Sequence, residues 1–208
     1  MINLGFKAFF MSSPIIMGIL LVCSVGVVWF GLERFIYFAA NSRFPKSLWK
    51  KLIPLVRDGK IQDAISVCSN NDSPYSRIFL AGLEKAHLSR ADVEDSMTVQ
   101  KEEVQELFRK RLGIFGTLSF VSPLLGLLGT VLGIYRAFHD LALAGSGGPT
   151  IVAAGVSAAL LTTIAGICVA VPAAVIYNYF TFKLRSLIVG INARSQELVI
   201  YMFERGKR

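Results

Sequence analysis

The chain has 208 residues, of which 53% are hydrophobic and 17% charged, and a formal net charge of +8. An ordinary soluble domain is about 45–50% apolar and about 25% charged, so composition already weighs against one. Three cysteines in no CxxC pattern and two widely separated histidines offer neither a disulfide framework nor a set of metal ligands.

The deviation sharpens once the charges are located. No Asp, Glu, Lys or Arg falls between Lys7 and Glu33, between Arg111 and Arg136, or from Leu141 to Phe182. A bilayer core of about 30 Å needs about 20 apolar residues in helical form, and each window is long enough. After a short N-terminal segment, 1–11, residues 12–38 read as a first transmembrane helix. A signal peptide fits poorly, because Lys7 is the only basic residue ahead of an apolar run too long for an h-region. Leu20-Leu21-Val22-Cys23 faintly suggests a lipoprotein site, but Val22 stands where a small residue is needed. The first helix is therefore read as retained.

Residues 39–112 read as a helical segment. Leu48, Leu52, Leu55 and Val56 share a face up to a stop at Asp58-Gly59, where glycine tolerates the left-handed conformation. Ile61, Ala64, Ile65 and Cys68 mark the next helix. Ser73-Pro74 starts another, carrying Ile78, Phe79 and Leu83, and Ser89-x-x-Asp92 resembles a capping box. From Ala91 onward no breaker precedes the second span, and Val93, Met97, Val104, Leu107 and Phe108 form a partial apolar face. The expectation is one unbroken rod running through Arg111 into the membrane. Taken alone, the segment has little apolar surface for its own core, so helix packing with neighbouring subunits is expected.

The second transmembrane helix, 113–138, carries the clearest pattern. Gly116, Ser119, Pro123, Gly126, Thr130, Gly133 and Ala137 recur at spacings of three and four, which places them on one helical face. A short outer loop, 139–150, contains the glycine-rich Gly145–Pro149, read as a turn. The third helix, 151–182, repeats the pattern with Ala159, Thr163, Gly166, Ala170 and Ala173, and Pro172 is expected to kink it or to free a carbonyl. A last helix, 183–208, follows. Small residues let helix backbones approach closely in lipid, so this face suits a surface that receives another helix or lines a narrow polar path. The plainer reading of Thr130, Thr162, Thr163 and Ser157 is a hydroxyl bonded back to a carbonyl one turn earlier. Ionisable groups are missing from the three apolar cores, whereas ion-driven devices normally place such groups in the membrane. Any titrating group must come from another chain.

Lys and Arg set the orientation. One precedes the first span, thirteen lie in 41–112, none in 139–150 and six in the tail from Lys183. The positive-inside rule puts 41–112 and the tail in the cytoplasm and the N-terminus outside. The same placement answers the nucleic-acid reading of a basic chain: the basic groups flank spans, and 41–112 carries ten acidic residues beside its thirteen basic ones.

Two stretches carry a family resemblance: Pro123-Leu-Leu-Gly-Leu-Leu-Gly-Thr-Val-Leu-Gly-Ile-Tyr-Arg-Ala-Phe138 and Gly155-Val-Ser-Ala-Ala-Leu-Leu-Thr-Thr-Ile-Ala-Gly-Ile-Cys-Val-Ala-Val-Pro172. With Tyr177-Asn178 and the segment from Ser73-Pro74 through Arg77 to Glu84, they resemble the MotA/TolQ/ExbB proton-channel family, closest to its TolQ and ExbB branch. The resemblance implies an all-α, multi-pass protein of the bacterial inner membrane, with three transmembrane helices, long cytoplasmic helical extensions and a pentameric bundle. The N-terminus would be periplasmic and the C-terminus cytoplasmic. It implies a dimer of a single-span ExbD/TolR-like partner that supplies a membrane Asp, contact with membrane lipid, protons as the coupling ion and no cofactor, metal or nucleic acid. The work would be done on the cell envelope, in outer-membrane uptake, envelope maintenance or gliding. Thr130 matches the family threonine of the second span, and Thr163, nine positions before Pro172, that of the third. Thr162 and Ser157 would join them on the ion pathway. Pro123, Gly126, Gly129, Gly133, Ala159, Gly166, Ala170 and Pro172 would form the partner-helix groove and its packing. Ala158 stands where the TolQ and ExbB proteins usually carry Glu, and Arg136 is atypical. These departures leave a non-conducting structural scaffold as the alternative. An enzyme is not expected: the sequence has no paired acids, His/Cys cluster, Gly-x-Ser-x-Gly or Walker A loop.

Overall fold

A computed structural model describes residues 13–144 and 149–204, with the side chains of 144 and 149–151 left aside. The expected segment 1–11, the glycine-rich turn at Gly145–Gly148 and the terminal Arg205, Lys207 and Arg208 lie outside the described residues. Within them the chain forms seven α-helices: α1 Pro14–Asn41, α2 Lys46–Asp58, α3 Ile61–Ser69, α4 Pro74–Glu84, α5 Arg90–Arg109, α6 Leu112–Ala144 and α7 Pro149–Phe203. The chain divides into two compact units, one built from 1–33 and 111–180, the other from 34–110 and 181–208.

In the first unit the polarity is that of a protein whose solvent is lipid. Three of the chain's helices, α1, α6 and α7, are long and apolar enough to cross a membrane. Val22, Trp29, Phe120, Val131, Tyr135 and Val175 are exposed, while Ser122, Thr130 and Thr162 are buried. Water would reverse that order; in a bilayer, polar groups must find partners inside the protein. The chain is thus a multi-pass membrane protein. Pro123 and Pro172 both sit inside uninterrupted helices, so the expected consequence of Pro172 reduces to a carbonyl without its helical donor. Arg111, the first residue of this stretch of the unit, takes φ 69° and pairs with Glu33 at 3.1 Å.

The second unit has a dense core. Leu52, Val56, Ile78, Phe79, Leu83, Val93 and Phe108 from α2, α4 and α5 are almost wholly enclosed, together with Ile191 and Leu198 from the end of α7. This corrects the expectation that 39–112 lacks enough apolar surface. Considered alone it does, but Leu184, Leu187, Ile191 and Leu198 complete the core from a stretch remote in sequence. Their spacing of three, four and seven residues is a helical face that the sequence displays. The caps form as expected. Gly59 ends α2 at φ 78°, the Ser73 hydroxyl accepts from the Ser76 N–H, and Ser89 and Asp92 make a reciprocal capping box.

The unbroken rod does not form. α5 ends at Arg109, Lys110 takes ψ 131° as its C-cap, and Arg111 adopts a left-handed conformation. The cause is a cap delivered from far away in sequence: the buried Arg34 guanidinium donates to the carbonyls of Lys110 (3.1 Å) and Leu107 (3.4 Å). The last carbonyls of a helix need such donors, and here a side chain supplies them.

Cys68 gives a test of this packing. Burial pushes its thiol up to about 11, partly offset by its hydrogen bond with Ser76. The fold therefore favours the neutral thiol. That stability is present below the ordinary value of 9.0 and is lost as pH rises towards about 11. At pH 8, alkylation of Cys68 should run at least about a hundredfold slower in the folded protein than in the denatured chain. Mass spectrometry of the labelled peptide measures the ratio, and equal rates would mean that the pocket is open.

Candidate functional site

α6 and α7 pack antiparallel, with contacts running the length of the small-residue stripes. A Cβ on Gly116 would lie 3.3 Å from the Tyr177 ring, one on Gly133 2.6 Å from the Ala159 Cβ, and one on Gly155 2.5 Å from the Ala137 Cβ. The closest approach is in the middle. A Cβ on Gly126 would meet the Thr162 carbonyl oxygen at 2.7 Å and the Thr163 Cα at 2.9 Å, and one on Gly166 would meet the Ser122 carbonyl oxygen at 2.5 Å. Backbone touches backbone here because Gly126 and Gly166 carry no side chain. The stripes of the two spans are therefore matched to each other within one chain. Of the expected partner-helix groove, Gly126, Gly129, Gly133, Ala159 and Gly166 serve this internal pairing. Ala170 is buried, Pro123 half-buried and Pro172 exposed.

That contact brings three hydroxyls together. The oxygens of Thr130 and Thr163 are 2.5 Å apart. Thr130 also reaches the carbonyls of Gly126 (3.2 Å) and Ala159 (3.3 Å). Thr162 reaches the same two carbonyls at 3.0 Å and 2.7 Å, and Thr163 reaches Gly126 at 3.2 Å. Six hydrogen-bond lines thus connect three hydroxyls, which own three protons between them. Only three of the lines can be occupied at once. The Gly126 carbonyl already accepts a helical N–H, so the hydroxyls compete for what remains of it. The cluster can redistribute its bonds by rotating hydroxyls without moving a heavy atom.

The three threonines differ in access. Thr162 is fully enclosed and Thr130 is 8% exposed, whereas Thr163 is half-buried and keeps one side open. Thr162 and Thr130 thus contain the plain back-bonding role and exceed it, since each also reaches the opposite helix. Ser157 is exposed and is not brought to the cluster; it lies on the opposite side of α7 from Gly166, nine residues on. Sequence reasoning passed over the two carbonyls, of Gly126 and Ala159, and over Ser122, a buried residue four positions before Gly126 at the spacing of the stripe. Among the described residues no group of three or more His, Cys, Asp or Glu could hold a metal.

The chain is similar to several known proteins. The chain is 31% identical over 169 residues to an ExbB homologue of biopolymer transport from Methanothermobacter thermautotrophicus, covering 79% of this chain and 59% of that one. It is 32% identical over 108 residues to the biopolymer transport protein ExbB of Aquifex aeolicus, covering 52% and 72%. Over a shorter stretch of 74 residues it is 40% identical to ExbB of Salmonella typhimurium, 36% of this chain and 30% of that one. The chain thus spans about three-fifths of the first of these relatives and less than a third of the last. Its fold is similar to that in a structure of C. jejuni MotAB, with a TM-score of 0.60 at 16% identity over 96% of this chain and 77% of that one. Residues 70–192, more than half of the chain and including the whole threonine cluster, match the model of one family, and the chain belongs to it: the MotA/TolQ/ExbB proton channel family.

Proposed function

We propose that the chain is a stator-type subunit of a proton-driven motor in the inner membrane, and that its ion path runs along the face marked by Thr130 and Thr163. The observation that carries this reading is the convergence of three hydroxyls on two carbonyls between two apolar helix stretches, 112–135 and 152–182, that contain no Asp, Glu, Lys, Arg or His. Such a cluster can offer and accept hydrogen bonds but cannot store a proton, because threonine does not titrate in the working range. The titrating carboxylate would belong to a single-span partner of the ExbD/TolR type, held as a dimer within a pentamer of this chain. Thr163, with its open side, is the hydroxyl placed to meet that carboxylate; Thr162 braces the pair from within. Protons are the coupling ion in this reading. The basic segment 41–112 and the tail face the cytoplasm, and the work is delivered to the cell envelope.

The test is Thr163→Val, which keeps the shape of the side chain and removes the hydroxyl. Proton uptake by proteoliposomes holding the chain and its single-span partner should fall at least about tenfold, the scale of one positioned hydrogen bond. Assembly, read by native mass, should be unchanged. Full uptake by a correctly assembled Thr163→Val complex would remove Thr163 from the path. Ala158 favours a second reading, a non-conducting scaffold, because it removes the carboxylate the family usually carries on this span. A wild-type complex with no proton uptake would select that reading.

A further inference from the structure

α6 carries four serine and threonine side chains, and three of them bond back into their own helix. Thr117 donates to the Gly113 carbonyl at 3.0 Å, Ser119 to Gly116 at 2.8 Å and Thr130 to Gly126 at 3.2 Å. Ser122 is the exception. Its side chain is fully enclosed, at 0% exposure, and its Oγ has no hydrogen-bond partner among the described residues. A buried hydroxyl ordinarily takes the carbonyl three or four residues back, because leaving it unpaired costs its full desolvation.

The same turn holds a second under-satisfied group. Pro123 has no N–H, so the carbonyl of Ser119 lacks the donor that a residue four positions on would supply. The Ser119 hydroxyl, having donated to Gly116, keeps lone pairs free to accept. A partnerless hydroxyl, an under-donated carbonyl and a second hydroxyl therefore share one turn of helix. A buried water needs two to four such partners.

We infer that Ser122 holds a buried water molecule, and that this water adds a polar position one turn before the threonine cluster, towards the start of α6. Four residues of helix separate Ser122 from Gly126, a rise of about 6 Å. The water lies one turn before the Gly126 carbonyl, on which the three threonine hydroxyls converge. The water's place on an ion path rests on the function proposed above; its binding does not.

Two measurements on Ser122→Ala separate these parts. The first is thermal melting of the full-length chain in detergent. Alanine is the better helix former and fits within the volume of serine, so the backbone cannot account for a loss. If Ser122 holds a water, its removal strands the Ser119 carbonyl and the melting temperature falls. If the hydroxyl is dry, its removal relieves a desolvated group and the melting temperature rises, which overturns the inference. The second is proton uptake by proteoliposomes with the single-span partner, where about a tenfold loss is expected. Undiminished uptake beside a conducting wild type would overturn the water's place on the path. If the wild type itself takes up no protons, the channel reading fails, and the direction of the melting shift alone decides whether the water is there.

Discussion

Gly126→Ala is expected to destabilise the chain by about 3 kcal/mol or more, one of the two largest effects of a single substitution in this protein. Over-packing a well-fitted interior costs about 1–3 kcal/mol when neighbouring side chains can shift. Here they cannot, because the added carbon would stand 2.7 Å from the Thr162 carbonyl oxygen and 2.9 Å from the Thr163 Cα. Both are backbone, so the helices must separate. Gly166→Ala should behave alike, since its Cβ would meet the Ser122 carbonyl oxygen at 2.5 Å and the Gly126 Cα at 3.1 Å. The intrinsic preference of alanine for helices returns at most about 1 kcal/mol. That gain should appear undiluted at Gly18 and Gly26 of α1, where an added Cβ meets nothing within 4 Å among the described residues. Melting of the four variants in detergent measures the contrast. A Gly126→Ala protein as stable as Gly18→Ala would mean that α6 and α7 do not touch backbone to backbone. The same separation would part the Thr130 and Thr163 oxygens, so Gly126→Ala should also lose whatever depends on their contact.

The stripes that make this contact are legible in the sequence, because a spacing of three and four defines a helical face whatever surrounds it. Their pairing is not. Spacing fixes which residues share a face, but says nothing of which face meets which, and Gly126 could as well have received a helix from another chain. The register that sets Gly126 against Gly166, and Gly133 against Ala159, emerges only when the two helices are packed. Thr130 and Thr163 could be singled out from the sequence, but the competition of three hydroxyls for the Gly126 carbonyl could not, since a carbonyl has no letter of its own. Short-range chemistry was readable throughout: Gly59, Ser73 and the Ser89/Asp92 box act within four residues of where they stand. Long-range completion was not. The core around Phe79 and Phe108 needs Ile191 and Leu198, about a hundred residues away, and the break after α5 rests on Arg34.

That break leads to the second large effect. Arg34→Met should cost about 2–4 kcal/mol, although it replaces a buried charge by an apolar side chain of similar length. Such replacements are often neutral when both partners of a buried pair go together. Here the partners are backbone carbonyls, which stay. Without the guanidinium, the carbonyls of Lys110 and Leu107 lose their charge-assisted donor at the end of α5, and each such bond is worth about 1.5–3 kcal/mol. Arg34→Lys should recover only part of the loss. An ammonium can reach a carbonyl, but it lacks the planar face that lies 4.6 Å over the Tyr37 ring. Apart from its ion pair with Glu33, Arg111 works against this turn: it sits at φ 69°, a conformation that costs a residue with a Cβ about 1–2 kcal/mol. With the cap gone, the end of α5 should fray or rewind towards the straight rod that the sequence between Ala91 and Arg136 otherwise favours. Trypsin distinguishes the two, since it cuts after Lys110 and Arg111. Faster cleavage there with a lower melting temperature marks fraying, and protection with a lower melting temperature marks rewinding. An Arg34→Met chain that melts and cleaves like the wild type would show that the break is held by something other than Arg34.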